Sequence, residues 1–358
     1  MIRIEPRTAP SRAITLGLPV FSALVALGLA AIPLIFAGAN IAVAYSEMFR
    51  GVFGSVFAFT EMLTRATPLI FTGLAAALAF RARLWNIGAE GQLYLGAMAA
   101  VAVGAGLFDW PAVVLIPTII VCGCAAGAAG MVASTTLKTR FGADEVVTTL
   151  LFNFIILILL QYMLEGPLQD PMGLGWPQSA PILDQGMLPQ LIDRMRVHAG
   201  LIIALICAAV AQFMLVYTVW GFKLRAVGEN AAAARHAGIN VNRTMMSVAI
   251  VSGGLAGMAG VSEVIGLKGY LTADLSPGFG YTGIVVAMLA GLSPVGVVIS
   301  ALFIASVFVG ADSMSRAMGV SSYLADLVVA MSLLCVLIGG FFARFKVTRI
   351  HAAKGKSA

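Results

Sequence analysis

The chain is 358 residues long, 60% apolar and only 11% charged, with a net charge of +6 and a mean hydropathy of +0.98. That balance excludes an ordinary water-soluble domain and reads as an all-α polytopic membrane protein. Continuous apolar runs, rather than short stretches of alternating polarity, also exclude a transmembrane β-barrel.

In chain order, Arg3, Arg7 and Arg12 precede an apolar run from Ala13 to Ala39. The run is too long for the core of a signal peptide and reads as an uncleaved first span. Further spans are expected at Thr67 to Phe80, Gly91 to Phe108, Ala112 to Thr136, Val146 to Leu164 and Gly200 to Trp220. The rest fall at Thr244 to Ile265, Tyr281 to Leu292, Val295 to Gly310 and Tyr323 to Phe342. At about 20 residues per crossing this makes about ten transmembrane helices in a single domain, residues 1–358, with a membrane region over 13–345. Two spans are short. Thr67 to Phe80 reaches only about 21 Å, and Tyr281 to Leu292 less, so each must tilt or be continued by irregular backbone. Short or Gly-interrupted spans are the sequence mark of a transport path.

Most of the 22 Lys and Arg residues fall on one side of this plan. Arg81, Arg83, Lys138, Arg140, Lys223, Arg225, Arg235, Arg243 and both tails oppose Arg50, Arg65, Arg194, Arg196, Lys268 and Arg316. The positive-inside rule then puts both termini in the cytoplasm. A Pro- and Gly-rich loop, 165–197, falls outside and can serve as a docking surface. The inner loop, 221–243, carries an Ala-rich stretch from Ala231 to Ala234 and a helix stop at Gly238. A short amphipathic helix on the membrane surface fits it.

Between two apolar segments lies a polar hinge, "LWNIGAEGQLYLGA", from Leu84 to Ala97. Glu90 at membrane depth costs roughly 2.5 to 3.5 kcal/mol unless something offsets it. An ion pair with Arg81 or Arg83 is one account, and a place on the solute path beside Asn86 and Gln92 is the other. Asn153 and Gln161, eight apart, are expected to share an inward face, and Glu263 and Asp326 are further ionisable groups inside spans. Trp85, Phe152, Phe279 and Tyr281 could stack on a nucleobase. The candidate path is therefore Trp85, Asn86, Glu90, Gln92, Phe152, Asn153, Phe279 and Tyr281. Gly123 with Gly127, and Gly253 with Gly257, have the spacing of close helix contacts. Cys122, Cys124, Cys207 and Cys335 lack metal or disulfide spacing. No Walker A, HExxH or GxSxG pattern occurs among the residues around His198, His236 and His351, so neither an enzyme nor a bound cofactor is expected.

Glu229, Ala231, Ala232 and Gly238 in "GENAAAARHAGIN" resemble the Glu-Ala-Ala and downstream Gly signature of ABC transporter permeases. "LWNIGAEGQLYLGA" and "GFGYTGIVVAMLAGLSPVG" are similar to segments of the importer permeases for branched-chain amino acids, simple sugars and nucleosides, with the "NIGAEGQ" core nearest the nucleoside branch. The resemblance runs from about Thr67 to Phe345. It implies a multi-pass inner-membrane subunit that carries nucleosides, purine nucleosides first and ribose-like sugars as the alternative. It also implies an ATPase subunit docked on a coupling helix around Glu229, Ala231, Ala232, Arg235 and Gly238, a second permease subunit, and an extracytoplasmic binding protein. Lipid surrounds it and no nucleic acid is expected. An ion-coupled secondary transporter using Glu90, Glu263 or Asp326 is the competing class.

Overall fold

The computed structural model describes residues 2–6, 25, 28–29, 31–36, 38–106 and 109–349. Its helices are α1 (Ile41–Phe53), α2 (Val56–Arg81), α3 (Ala89–Gly104), α4 (Ala112–Phe141), α5 (Glu145–Leu164) and α6 (Gly200–Tyr217). They continue with α7 (Val219–Glu229), α8 (Ala231–His236), α9 (Val241–Glu263), α10 (Phe279–Leu289), α11 (Pro294–Met318) and α12 (Ser322–Arg344). Among the described residues, seven helices are long and apolar enough to cross a membrane. The expected first span, Ala13 to Ala39, lies mostly outside the described residues, although 31–36 are helical.

Two compact units divide the chain. The smaller combines Met1–Gly54 with Val307–Ala358. Its core gathers Leu34, Ala44, Met314 and Val328. Helix α1, started by the Asn40 carboxamide accepting from Ala42 and Val43 N–H, was not foreseen. Strands β1 (Ile2–Pro6) and β2 (Phe345–Arg349) pair antiparallel, Ile2 opposite Arg349.

The larger unit, Ser55–Ser306, departs from expectation in two spans. Helix α2 is 26 residues long, not the short piece Thr67 to Phe80, because Glu61 and Arg65 interrupt the hydropathy without interrupting the helix. It runs through Pro68, with Thr64, Thr67 and Thr72 hydroxyls bonded to carbonyls a turn earlier. The run Gly200 to Trp220 is two helices. Thr218 is extended (φ −113°, ψ 157°), and its hydroxyl accepts from Gly221 N–H at 3.2 Å to start α7.

Helices α3, α4 and α9 meet almost backbone to backbone. A Cβ on Gly127 would stand 2.6 Å from Gly257 Cα, and one on Gly253 would stand 2.6 Å from Gly127 O. Gly96 and Gly260 extend the same contact to α3, against the Gly257 and Leu93 backbones. Without a large hydrophobic driving force between helices in lipid, such close approach is what holds them. Helix α9 ends in a π-helical turn, Val264–Lys268, closed by Gly269.

The two interrupted places lie in this unit. After α2, residues 82–88 form a non-helical segment in which Arg83 takes a left-handed φ of 53°, a strained value for a side chain of that size. After the π turn, residues 269–278 form a second one. The first leaves the end of the bundle near α7. The second starts at the end that carries the 165–197 loop, where Leu188 and Ile182 N–H bond to Ile265 O and Gly269 O. The helices that follow, α3 and α10, begin face to face.

Candidate functional site

The meeting point of those two helix starts is a buried polar cluster. Asn86 and Gln92 exchange amide hydrogen bonds, Asn86 Nδ2 to Gln92 Oε1 at 2.8 Å and Gln92 Nε2 to Asn86 Oδ1 at 2.9 Å. Asn86 Nδ2 also donates to Ser252 Oγ on α9, whose hydroxyl donates to Ala75 O on α2. Asn153 on α5 accepts from Gly91 N–H at 2.9 Å and donates to Ile87 O and Tyr281 Oη. Asn153 thus satisfies Ile87 O, Asn86 Oδ1 accepts from Gly88 N–H, and Thr149 Oγ1 accepts from Ile87 N–H, so side chains meet backbone groups that the non-helical 82–88 segment leaves open, the condition for irregular backbone among apolar helices.

Glu90 is 4% exposed, and its Oε2 accepts from Gly280 N–H at 2.6 Å. The ion pair expected with Arg81 or Arg83 is not its role. Its carboxylate sits at the start of α10, where an anion meets unpaired N–H groups and the positive end of the helix dipole. Tyr94, one turn on, holds the second segment with its hydroxyl, which donates to Ala273 O and accepts from Ser276 N–H. Glu90→Ala strips an acceptor from a buried N–H and is expected to cost about 1–3 kcal/mol, read as a lower melting temperature of the purified protein. Glu90→Gln keeps an acceptor and should lose about 0.3–1 kcal/mol.

Of the other residues singled out, Trp85 is 43% exposed and packs its ring on Phe80. Its main-chain N–H faces Glu145 Oε1, which also pairs with Lys138, so that the hinge is clamped to the start of α5. Phe152 is half-buried on a different face of α5 from Asn153. Phe279 is buried at the first turn of α10. Gln161 is exposed, not inward like Asn153, since eight residues at about 100° each leave the two some 80° apart. Asp326 is exposed on α12, and Glu263 is 3% exposed at the end of α9.

At the α7 end, Glu229 closes α7 and Asn230 opens α8, its side chain accepting from Ala232 and Ala233 N–H at 3.0 Å. Gly238, at φ 80°, lets Ile239 N–H return to Ala234 O, the left-handed stop read from the sequence. Val227, Ala234 and Val241 bury the inner face, while Glu229, Ala232, Ala233, Arg235 and Gly238 are exposed and Ala231 is half-buried. A Cβ at Gly228 would collide with the Arg81 carbonyl oxygen. The end of α7 therefore packs directly on the foot of the hinge.

Sequence reasoning passed over His198. Its ring is wedged against Gly200 and Gly266 of the π turn, with Nδ1 accepting from Gly200 N–H and Nε2 buried without a partner. Burial pushes this imidazole down to about 4. Its folded value lies below the unfolded one of about 6.5, so keeping it neutral adds stability that is full above that pH and drains as pH falls toward 4. The loss should reach about 3 kcal/mol, at about 1.4 kcal/mol for each pH unit between the two values. Melting of the wild type at pH 7.5 and pH 5 beside His198→Asn checks this, with a flatter profile expected for the variant.

Residues 58–337 match the family described as branched-chain amino acid transport system / permease component. The glucose ABC transporter permease protein TsgB13 of Haloferax volcanii is 35% identical over 100% of this chain and 96% of its own length. The guanosine ABC transporter permease protein NupP of Bacillus subtilis is 36% identical over 89% of this chain and 92% of its own. The nucleoside ABC transporter permease protein NupB of Lactococcus lactis is 30% identical, covering 80% and 81%.

Proposed function

The chain belongs to the branched-chain amino acid transport system / permease component family, and from that membership we propose that it forms the membrane path of an ATP-driven importer for nucleosides, purine nucleosides first. It is a transport subunit, not an enzyme. The family implies a separate ATPase subunit and a substrate-binding protein as partners. To these we add a second permease subunit, identical or related. The chain is a multi-pass protein of the inner membrane. In the proposed orientation both termini and α7–α8 face the cytoplasm, and the 165–197 loop faces the binding protein.

The observation that carries this reading is the exposed, doubly capped α8 joined through Gly228 to the Arg81 end of α2. A partner pulling on Glu229, Ala231, Ala232, Arg235 and Gly238 acts on the strained 82–88 segment, and through Asn86 and Glu90 on both helix starts. Trp85, Asn86, Glu90, Gln92, Phe152, Asn153, Phe279 and Tyr281 remain our proposed path, Asn86, Gln92 and Asn153 chiefly by shaping it. Two nucleoside or guanosine permeases among the relatives favour the nucleoside substrate. A simple sugar is the second reading, favoured by the full-length similarity to a glucose permease.

Cells lacking the chain, alone or complemented, are to be assayed with labelled guanosine, ribose and glucose. Guanosine uptake restored by the chain and maintained under an uncoupler while ATP persists is the expected result. Restoration of sugar uptake alone would replace the substrate, and collapse under the uncoupler would favour the ion-coupled class.

A further inference from the structure

At the end of the larger unit that carries the 165–197 loop lies a cavity of about 290 Å³. Six charged side chains line it: Glu61 and Arg65 of α2, Arg196 of the loop, Glu263 at the end of α9, Lys268 of the π turn, and Asp274 of the descending segment. Three are acidic and three are basic. Phe279 forms part of its apolar wall, one residue before the Gly280 that Glu90 holds. The cavity thus ends at the first residue of α10.

The charges do not simply neutralise one another in pairs. Glu61 Oε2 stands 3.6 Å from Arg196, yet Glu61 Oε1 is buried without a hydrogen-bond partner. Lys268 is 3.8 Å from Asp274 and also donates to Asp274 O and Thr272 Oγ1. The Thr272 hydroxyl, first, and Lys268 hold the Asp274 carboxyl below its usual range, so it stays an acceptor. Glu263 is almost wholly buried, with Arg65 and Lys268 beside it in the lining. A wall that interleaves acidic and basic side chains does not single out an anion or a cation. It suits a neutral molecule with several hydroxyls, whose O–H groups go to carboxylates and whose oxygens accept from guanidinium. The volume is near the lower end of ligand pockets, roughly 300–1,000 Å³.

We propose that this cavity is a solute subsite that holds the vicinal hydroxyls of a neutral sugar moiety, Glu61 and Glu263 accepting and Arg196 donating, with Phe279 against the ring. The proposal rests on the importer reading and narrows it, because ribose, glucose and the sugar of a nucleoside all carry the recognised group.

The test uses the purified, assembled importer without its binding protein. Labelled guanosine is bound directly and displaced by ribose or by 2′,3′-dideoxyguanosine. The wild type should prefer guanosine over the dideoxy analogue by about ten-fold, or 1.4 kcal/mol. Glu61→Gln and Glu263→Gln should erase that preference, with affinity for the analogue reporting that the cavity is still built. Arg196→Gln, at a side chain 63% exposed, should weaken guanosine in the same sense without endangering the fold. Equal binding of the two nucleosides by the wild type, or variants that keep the wild-type preference, would overturn the subsite. Uptake by intact cells separates the two claims: if the wild type still imports guanosine or a sugar, the importer reading stands while the subsite falls. If it imports none of them, the importer reading itself fails.

Discussion

Gly280→Ala abolishes uptake and sharply lowers the amount of protein in the membrane. A Cβ at residue 280 would lie 2.5 Å from Glu90 Cα and 2.7 Å from Ala89 C, closer still to Glu90 N. All three are main-chain atoms at the start of α3, so no side chain can swing aside. The helices must part, which breaks the Glu90 to Gly280 bond and opens the packed cluster beneath, for a cost of about 3 kcal/mol or more. Gly254→Ala is the matched control. A Cβ there meets Cys124 O at 3.5 Å, an ordinary contact, and the variant should transport as the wild type does. Uptake measured beside an immunoblot of the membrane fraction compares them. Equal behaviour of the two variants would mean that α3 and α10 do not begin in contact.

Glu229→Lys leaves the protein abundant and folded but reduces ATP-driven uptake to background. The side chain is exposed at the end of α7, where surface substitutions usually stay within about 0.5 kcal/mol. The α8 cap belongs to Asn230 and survives the change. What changes is the charge of the surface we propose as the ATPase docking site, beside the small exposed side chains of Ala232 and Ala233. A loss of roughly ten-fold in that docking corresponds to about 1.4 kcal/mol, well within what one reversed charge removes. Uptake and ATPase rate of the assembled importer should fall together. Normal uptake by this variant would remove α7–α8 from the coupling role.

Local signals made part of this legible from the sequence. The hinge, the stop at Gly238 and the close-contact glycine spacings Gly123 with Gly127 and Gly253 with Gly257 each depend on residues a few positions apart, whereas the pairing of α4 with α9 does not show in the sequence. The length of α2 was hidden because Glu61 and Arg65 look like the edge of a loop to any hydropathy reading, although they line a cavity inside the unit. The split at Thr218 was hidden because the apolar run continues across it. The cavity was not readable at all: its charged residues come from separate segments between positions 61 and 274, and nothing in their local spacing marks them as neighbours. Glu90 was recognised as needing a partner, but that partner is a main-chain N–H far along the chain, which carries no signature of residue type.

The glycine contacts among α3, α4 and α9 also fix where the molecule can bend. Helices that interlock through long side chains can slip by changing rotamers, and neighbours touching along their main chains have no such freedom. These three therefore pack as one close-contact layer. The non-helical 82–88 and 269–278 segments border that layer. A transport cycle built on this chain would carry that layer as one body, with the Glu90 to Gly280 bond tying it to the start of α10.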